Sequence, residues 1–374
     1  MKNRLYPMML ALAMCCTSCE KVLDYEGTLE DISIGSMVIN AVAIVDSPFS
    51  VYINRAERAD QAHVRQFVNF DTAMYNNDPF YRSYQSNDYL DNTLIDSAQV
   101  EVQVNGQSTY PMVFSVKDRC YQSSYTPHEG DHLLVKASAD GETLTAETIV
   151  PAKPKIEIVS HEELGENPYR YQNGLTFETD SIMHLTLRIK DMGDNNYYRL
   201  RVRGIGMGYG TGGGPDPAGS GKTIWQSHPY YNVQDIFFSD DDLFVDSRLT
   251  TNFGGWPAFF SNVFSTQLLH GSDYILNVDS PKVPYESPFW EWMKENGIVD
   301  DSHLNDIPFL PTQVMVELQA ITEDYYRFLK SVELYRITDT GANSETIHIH
   351  GNAVNGWGIL GAMSYDRHVI YYGN

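Results

Sequence analysis

The chain has 374 residues, of which 42% are hydrophobic and 20% are charged. This composition supports sizeable hydrophobic cores and excludes a wholly disordered chain or a long coiled coil. With 26 basic and 49 acidic residues, the net charge is -23, which excludes broad electrostatic binding to nucleic acid or to anionic headgroups.

Residues 1–19 have the layout of an export signal. A basic segment precedes an apolar run over residues 5–16, which is too short to span a bilayer stably. Two small residues then precede Cys19, the arrangement that lipoprotein signal peptidase requires. We therefore expect a lipoprotein signal peptide over 1–19 and acylation of Cys19, whose acyl chains would anchor the protein in the outer membrane. The alternative is an ordinary cleaved signal and a secreted product.

An acidic tether over residues 20–35 follows the leader. It resembles the export signals that send Bacteroidota lipoproteins to the cell surface, so surface display is expected; the periplasmic face of the outer membrane is the alternative. Cys120 is the one cysteine outside the leader. It is expected to be a small buried residue, because an internal disulfide would need a second cysteine.

Residues 36–151 read as a series of short strands. Alternating apolar and polar residues flank Asn105-Gly106 and Asp140-Gly141, and each of these dipeptides predicts a tight hairpin turn. Residues 37–44 and 49–53 predict a further strand pair. We expect an Ig-like β-sandwich here, which closes at a stiff proline-rich segment.

Residues 155–374 are expected to form a second β-rich, sandwich-like domain with one or two short helices. Apolar residues alternate over 183–189, and again over 198–202. The polar positions of the second strand are Arg199, Arg201 and Arg203. This arginine face is predicted to be exposed to solvent or paired with acids.

The clearest helix signal follows Thr322, a residue type favoured at the N-cap. Acids fill the first turn, where they complement the helix dipole. Tyr325, Phe328, Leu329 and Val332 then form one apolar face. A second short helix is possible over 289–295. The chain is thus expected to be mainly β, with a short helix near the C-terminus.

Three motifs resemble chemical sites without meeting their requirements. Residues 216–223 look like a phosphate-binding loop, but Asp216 stands where glycine is needed and 225–231 is not helical in pattern. The acidic run 239–242 lacks EF-hand spacing. His348 and His350 have no identifiable third zinc ligand. These segments are interpreted as a flexible loop, an acidic turn and a strand edge, so neither cofactor nor metal is expected, and the protein is not predicted to be an enzyme.

Aromatic clusters are the best indication of ligand binding. Exposed aromatic rings stack on sugars or anchor protein partners, although core packing is the ordinary alternative. The candidate binding residues are Tyr81, Tyr84, Trp225, Trp256 and Trp290.

A family resemblance covers nearly the whole chain after the leader. The segments that carry it are 145–151, 191–199, 238–241, 323–329 and 350–361. Together with the leader cysteine and the Ig-like pattern, they make the chain similar to the Bacteroidota lipoproteins of domain of unknown function 4249. In the last segment, glycines surround Trp357, which suggests a tight chain reversal that packs this ring against the sheet.

The resemblance implies an outer-membrane location and genes that often lie beside those of TonB-dependent transporters; it implies no catalytic residues. The expected function is that of an outer-membrane-anchored surface lipoprotein, a non-enzymatic binding or accessory subunit of a TonB-dependent nutrient uptake system. An adhesin or structural cell-surface lipoprotein is the alternative, and a hydrolase is a third. No nucleic-acid partner is expected.

Overall fold

The structure is a computed structural model. It describes residues 35–56, 93–164, 182–190, 196–215, 223–231, 237, 239, 243–244, 262–266, 273–281, 312–338 and 348–372. These residues are mainly β-strand, with a helix near the C-terminus, as the sequence predicts. Within these ranges, no helix is both long and apolar enough to cross a membrane.

The first half of the described chain contains seven strands. They are β1 (Met37–Ile44), β2 (Ser50–Arg55), β3 (Gln99–Val104), β4 (Ser108–Ser115), β5 (Cys120–Ser123), β6 (His132–Ala139) and β7 (Glu142–Ile149). The second half contains β8 (Lys155–Leu164), β9 (Ile182–Lys190), β10 (Tyr197–Pro215), β11 (Thr223–Tyr231), β12 (Val263–Ser265), β13 (Tyr274–Pro281), β14 (Thr312–Ile321), the helix α1 (Glu323–Thr338) and β15 (Trp357–Tyr372).

Both predicted hairpin turns are present. Asn105 and Gly106 have φ angles of 53° and 66°, and Asp140 and Gly141 have φ angles of 52° and 85°. Such positive φ values at both central residues characterise the turns that match the twist of paired strands. The predicted pairing of 37–44 with the following strand is also present, as the antiparallel pair β1–β2.

One continuous sheet runs through both halves. Its strand order is β11-β10-β14-β15-β1-β2-β5-β4-β3-β6-β7, and β12 also pairs with β10. The link between the halves is a parallel pairing of β1 with β15. The core enclosed by β1–β7 also includes Leu360 and Ala362 of β15. The domain boundary expected at residues 151–155 stays a prediction, but the first core draws residues from beyond it.

The second core lies between two sheets. The three-stranded sheet β13-β9-β8 packs against β10 and β14. Leu187 and Leu276 from the small sheet meet Leu200 and Val316 from the large one, and all are fully or almost fully buried. Each such side chain contributes roughly 1.5–3 kcal/mol of apolar burial, so this face holds the small sheet in place.

The helix α1 begins one residue after Thr322, as predicted. The backbone oxygen of Thr322 accepts a hydrogen bond from Tyr326 N at 2.9 Å. Its hydroxyl accepts one from Ala362 N at 3.3 Å, so the start of the helix is tied to β15. Tyr325 is buried in a third cluster, which includes Ile44 of β1. The apolar helix face therefore covers the side of β1 and β15 opposite the first core.

The arginine face was predicted to be exposed to solvent or paired with acids, and solvent exposure is wrong for two of its residues. Arg201 and Arg203 are 0% and 4% exposed. In the strand register Arg201 lies opposite Glu317 of β14, whose carboxylate accepts hydrogen bonds from Arg367 Nε at 2.7 Å and Gln319 Nε2 at 2.5 Å. The alternation was read correctly, but the second face of these strands is also covered, and it holds a buried polar cluster.

The phosphate-loop resemblance has the wrong flanking structure. Glycine-rich residues up to Pro215 continue β10, and β11 begins at Thr223. A phosphate-binding loop requires a helix there. The acidic residues 240–242, the aromatic segment 59–92 and the possible helix 289–295 lie outside the described residues. Cys120 is buried as expected, and this burial raises the pKa of its thiol.

Candidate ligand-binding cleft

A cleft of about 300 Å³ lies where the first half of the molecule passes into the second. Its floor is the segment 151–155, which we call the linker. Its walls are the end of β9 at Lys190, the start of β10 over 196–198 and the end of β14 over 320–321. The cleft therefore lies at the edge of the second core, where β9 and β14 end and β10 begins.

The linker is fixed at both ends of its path. Its prolines restrict the backbone. Two hydrogen bonds connect it to β15: Ser364 Oγ donates to Ala152 O at 2.6 Å, and Ile156 N, just after the linker, donates to Asp366 Oδ2 at 2.9 Å. In the middle, Lys153 Nζ donates to Asp46 Oδ2 in the β1–β2 turn at 2.7 Å. The floor of the cleft is thus held in a defined position.

The charged side chains among the described lining residues are all basic, opposite in sign to the net charge of the chain. Among the cleft's described lining residues, three are lysines, Lys153, Lys155 and Lys190, and none is acidic. Lys155 and Lys190 lie directly opposite each other in the β8–β9 pair. Like charges in this position destabilise a strand pair, so the cleft concentrates positive charge at a local cost.

Two of the lysines have carboxylate partners just outside the lining. The hydrogen bond between Lys153 and Asp46 raises the pKa of the lysine and lowers the pKa of the aspartate. Lys190 Nζ lies 2.8 Å from Glu157 Oε2, and this contact lowers the pKa of Glu157. The Lys153 ammonium group therefore stays charged at neutral pH, and both ammonium groups are held in place by their carboxylate partners.

The aromatic wall of the cleft is well packed. The Tyr197 ring lies 4.9 Å from the ring of Tyr326 on α1, and the buried Tyr198 stacks on Phe264 at 5.7 Å. Asn196 N donates to Thr266 Oγ1 at 3.0 Å. Because Tyr197 and Tyr198 are consecutive residues of β10, their rings lie on opposite faces of the sheet. Tyr197 is the less buried of the two and is the ring that could contact a ligand in the cleft.

A second cluster lies in the C-terminal segment 350–361, which we call the clasp. Asn352 Oδ1 accepts from Leu360 N at 2.9 Å, and its Nδ2 donates to Leu360 O at 3.0 Å and to Glu147 O of β7 at 3.1 Å. His350 Nε2 lies 2.9 Å from Asp324 Oδ1 at the start of α1. The clasp joins β7, α1 and β15, so these polar residues have a structural explanation.

Glycines let the clasp approach its neighbours closely. A Cβ on Gly358, whose φ is 102°, would lie 1.8 Å from Ile39 O; on Gly356 it would lie 2.3 Å from Leu144 Cδ1. The expectation that Trp357 packs against the sheet is wrong, because this residue is 39% exposed. The glycines are needed for backbone contact rather than for burying the ring.

Comparison with known families gives a match, and it covers both clusters. A model of the family described as a domain of unknown function (DUF4249) matches residues 30–368. The chain belongs to this family. The matched range includes the linker, the cleft walls and the clasp. No curated protein matches the chain.

The residues predicted to bind ligand are not those that line the cleft. Trp225 lies in β11, opposite Gly213 of β10. Cys19, Tyr81, Tyr84, Trp256 and Trp290 lie outside the described residues. The interpretation of His348 and His350 as a strand edge is wrong, because residues 348–350 do not belong to a strand. In the described ranges, no group of three or more His, Cys, Asp or Glu side chains could hold a metal ion.

The lysines of the cleft were missed although a signal was present. Lys153-Pro154-Lys155 places two cations side by side in a chain with nearly twice as many acids as bases. Lys190, however, is separated from them by a whole strand pair, and only the β8–β9 register brings it opposite Lys155. The pair Lys153 and Lys155 could be identified from the sequence, but its proximity to Lys190 could not.

Proposed function

We propose that this protein is a lipid-anchored surface lipoprotein of the outer membrane. Its role would be that of a non-enzymatic binding or accessory subunit of a TonB-dependent nutrient uptake system. The observation that carries the proposal is Cys19, which follows an apolar run and two small residues. Membership of the family is consistent with it, because the resemblance implied an outer-membrane location and a transporter partner.

The position of the first strand supports an anchored arrangement. Gly35 N donates a hydrogen bond to Ala56 O at 3.0 Å, which fixes the chain beside the start of β1. The segment between Cys19 and Gly35 could extend over about 50 Å at ~3.3–3.6 Å per residue. A chain of net charge -23 would also be repelled by anionic headgroups. The folded part would therefore stand away from the membrane, where it could meet a partner.

A binding role also suits the chemistry of the cleft better than hydrolysis does. A hydrolase would need convergent carboxylates of raised pKa. The cleft instead presents Lys153, Lys155 and Lys190 beside an aromatic wall, and the nearby carboxylates of Asp46 and Glu157 have lowered pKa values. Such groups suit the recognition of a ligand or partner.

The deciding experiment is affinity purification of the tagged protein from native outer membranes, followed by mass spectrometry. Cys19→Ala tests the anchor, and Cys15→Ala is the matched control because it lies in the same leader without being the acceptor. We expect labelled palmitate on the wild type and Cys15→Ala, none on Cys19→Ala, and a stoichiometric TonB-dependent transporter among the partners. A protein recovered alone across several mild detergents would overturn the transporter role and favour an adhesin.

A further inference from the structure

We propose that the cleft above the linker binds a small organic anion. Its carboxylate or phosphate group would lie among Lys153, Lys155 and Lys190, and its apolar body would lie against Tyr197. This inference does not rest on the proposed function, because it concerns a site in the folded part that can be measured on purified protein.

The first argument is the sign of the charge. A cleft lined by one sign of charge focuses its potential and raises the local concentration of counter-ions. Among the described residues that line the cleft, three are lysines and none is acidic, in a chain of net charge -23. An anion that is repelled by the rest of the surface would find this cleft attractive.

The second argument is the cost of the lysine arrangement. Lys155 and Lys190 are direct cross-strand partners, and opposed like charges weaken a strand pair. Glu157 lies beside Lys190 but is shared with Arg188, whose Nη1 is 3.3 Å from its Oε2. One carboxylate thus serves two cations, and an anion in the cleft would relieve the repulsion that remains.

The third argument is size and polarity. About 300 Å³ is at the small end of ligand pockets. Beside the lysines, the lining includes Pro154, Tyr197 and Ile321, which form an apolar surface. A bare inorganic ion would leave that surface uncovered, whereas an anion with a short aliphatic or aromatic body would cover it.

The test is isothermal titration calorimetry of the purified full-length protein at low salt. The probes are benzoate, phenyl phosphate and inorganic phosphate. We expect saturable binding of benzoate or phenyl phosphate with a Kd near ~1 mM, weakening as salt is raised. Preference for benzoate would identify a carboxylate ligand, and preference for phenyl phosphate a phosphate ester.

Matched variants assign the binding to the cleft. Lys155→Gln and Lys190→Gln should each weaken binding about tenfold, as expected for loss of one charge-assisted contact. Lys136→Gln is the control, because Lys136 is an exposed lysine on β6 away from the cleft. Thermal unfolding of each variant confirms that it is folded, and Lys155→Glu provides a stronger charge change at the same position.

Three results would overturn the proposal. One is the absence of saturable binding of either organic probe up to about 10 mM. Another is an equal loss in Lys136→Gln, which would indicate nonspecific charge attraction. The third is binding of inorganic phosphate as tight as that of phenyl phosphate, which would show that the apolar wall takes no part.

Discussion

The two halves of the molecule meet at the linker and at the clasp, and the two contacts differ in kind. The linker lies along β15 through polar contacts such as Ser364 to Ala152, and it leaves a cleft beside it. At the clasp, Gly356 and Gly358 bring backbone against strand with no room for a methyl group. The difference suggests a division of roles, in which the clasp holds the halves together and the linker leaves space for a ligand.

The largest expected effect comes from adding a methyl group in the clasp. Gly358→Ala would place Cβ 1.8 Å from Ile39 O at a φ of 102°. Backbone strain of about 1–3 kcal/mol adds to a steric overlap of similar size, so the free energy of unfolding should fall by about 3 kcal/mol or more. Urea denaturation followed by circular dichroism measures it.

Gly106→Ala is the control for this variant. Its φ of 66° is also positive, but a Cβ there would meet nothing within 4 Å. Only the conformational cost of about 1–2 kcal/mol should appear. Equal effects of the two variants would mean that close contact with β1 is not what the clasp glycine provides.

The next effect concerns the hydrogen bonds of the clasp. Asn352→Ala removes the partner of Leu360 N and of two backbone oxygens. Leaving such groups unsatisfied costs about 1–3 kcal/mol, so the unfolding free energy should fall by about 2 kcal/mol. Asn277→Ala, which loses an exposed contact to Thr186, should have little effect. If the two variants behaved alike, the clasp would not depend on Asn352.

At the linker the same measurement should show almost no change. Lys153→Ala removes an ion pair whose two side chains are 46% and 54% exposed. Solvent and salt screen such pairs strongly. We expect a urea midpoint close to that of the wild type, together with weaker binding of an anion in the cleft. A large loss of stability would contradict the division of roles between the linker and the clasp.

The smallest effect is a pH dependence. Lys153 and His128 hydrogen-bond to Asp46, and they lower its pKa from the ordinary 3.8. Its contribution to stability is therefore present above pH 3.8 and is lost as the pH falls through the lowered pKa. Asp46→Asn should flatten the acid limb of a stability-versus-pH curve slightly. An acid limb of Asp46→Asn as steep as that of the wild type would be evidence against the Asp46 contact.

Local features of the fold could be predicted from the sequence because their causes are local. Asn105-Gly106 and Asp140-Gly141 favour positive φ, which specifies the turns wherever the strands go. Exposure was harder to predict. The alternation around Arg201 showed which residues share a face, but a second covering layer is a tertiary property, and it placed this arginine in the interior.

The cleft was less predictable than the fold because its residues come from separate elements. Lys155 and Lys190 become neighbours only through the β8–β9 register, which depends on strand pairing across residues 165–181. Aromatic residues were the natural candidates for binding, since they are conspicuous in composition. Lysines give no comparable signal in a sequence, and only the three-dimensional structure shows that these three surround one cleft.

The parallel pairing of β1 with β15 determines when folding can finish. Val38 lies opposite Trp357, more than three hundred residues later. A contact of such high contact order forms slowly, since a long loop must close first. Until β15 is present, during synthesis and export, one edge of β1 therefore stays unpaired, and strands of other chains can add to it. A product truncated before β15 would keep that edge permanently and would also lack Leu360 and Ala362 from its first core, so it should aggregate.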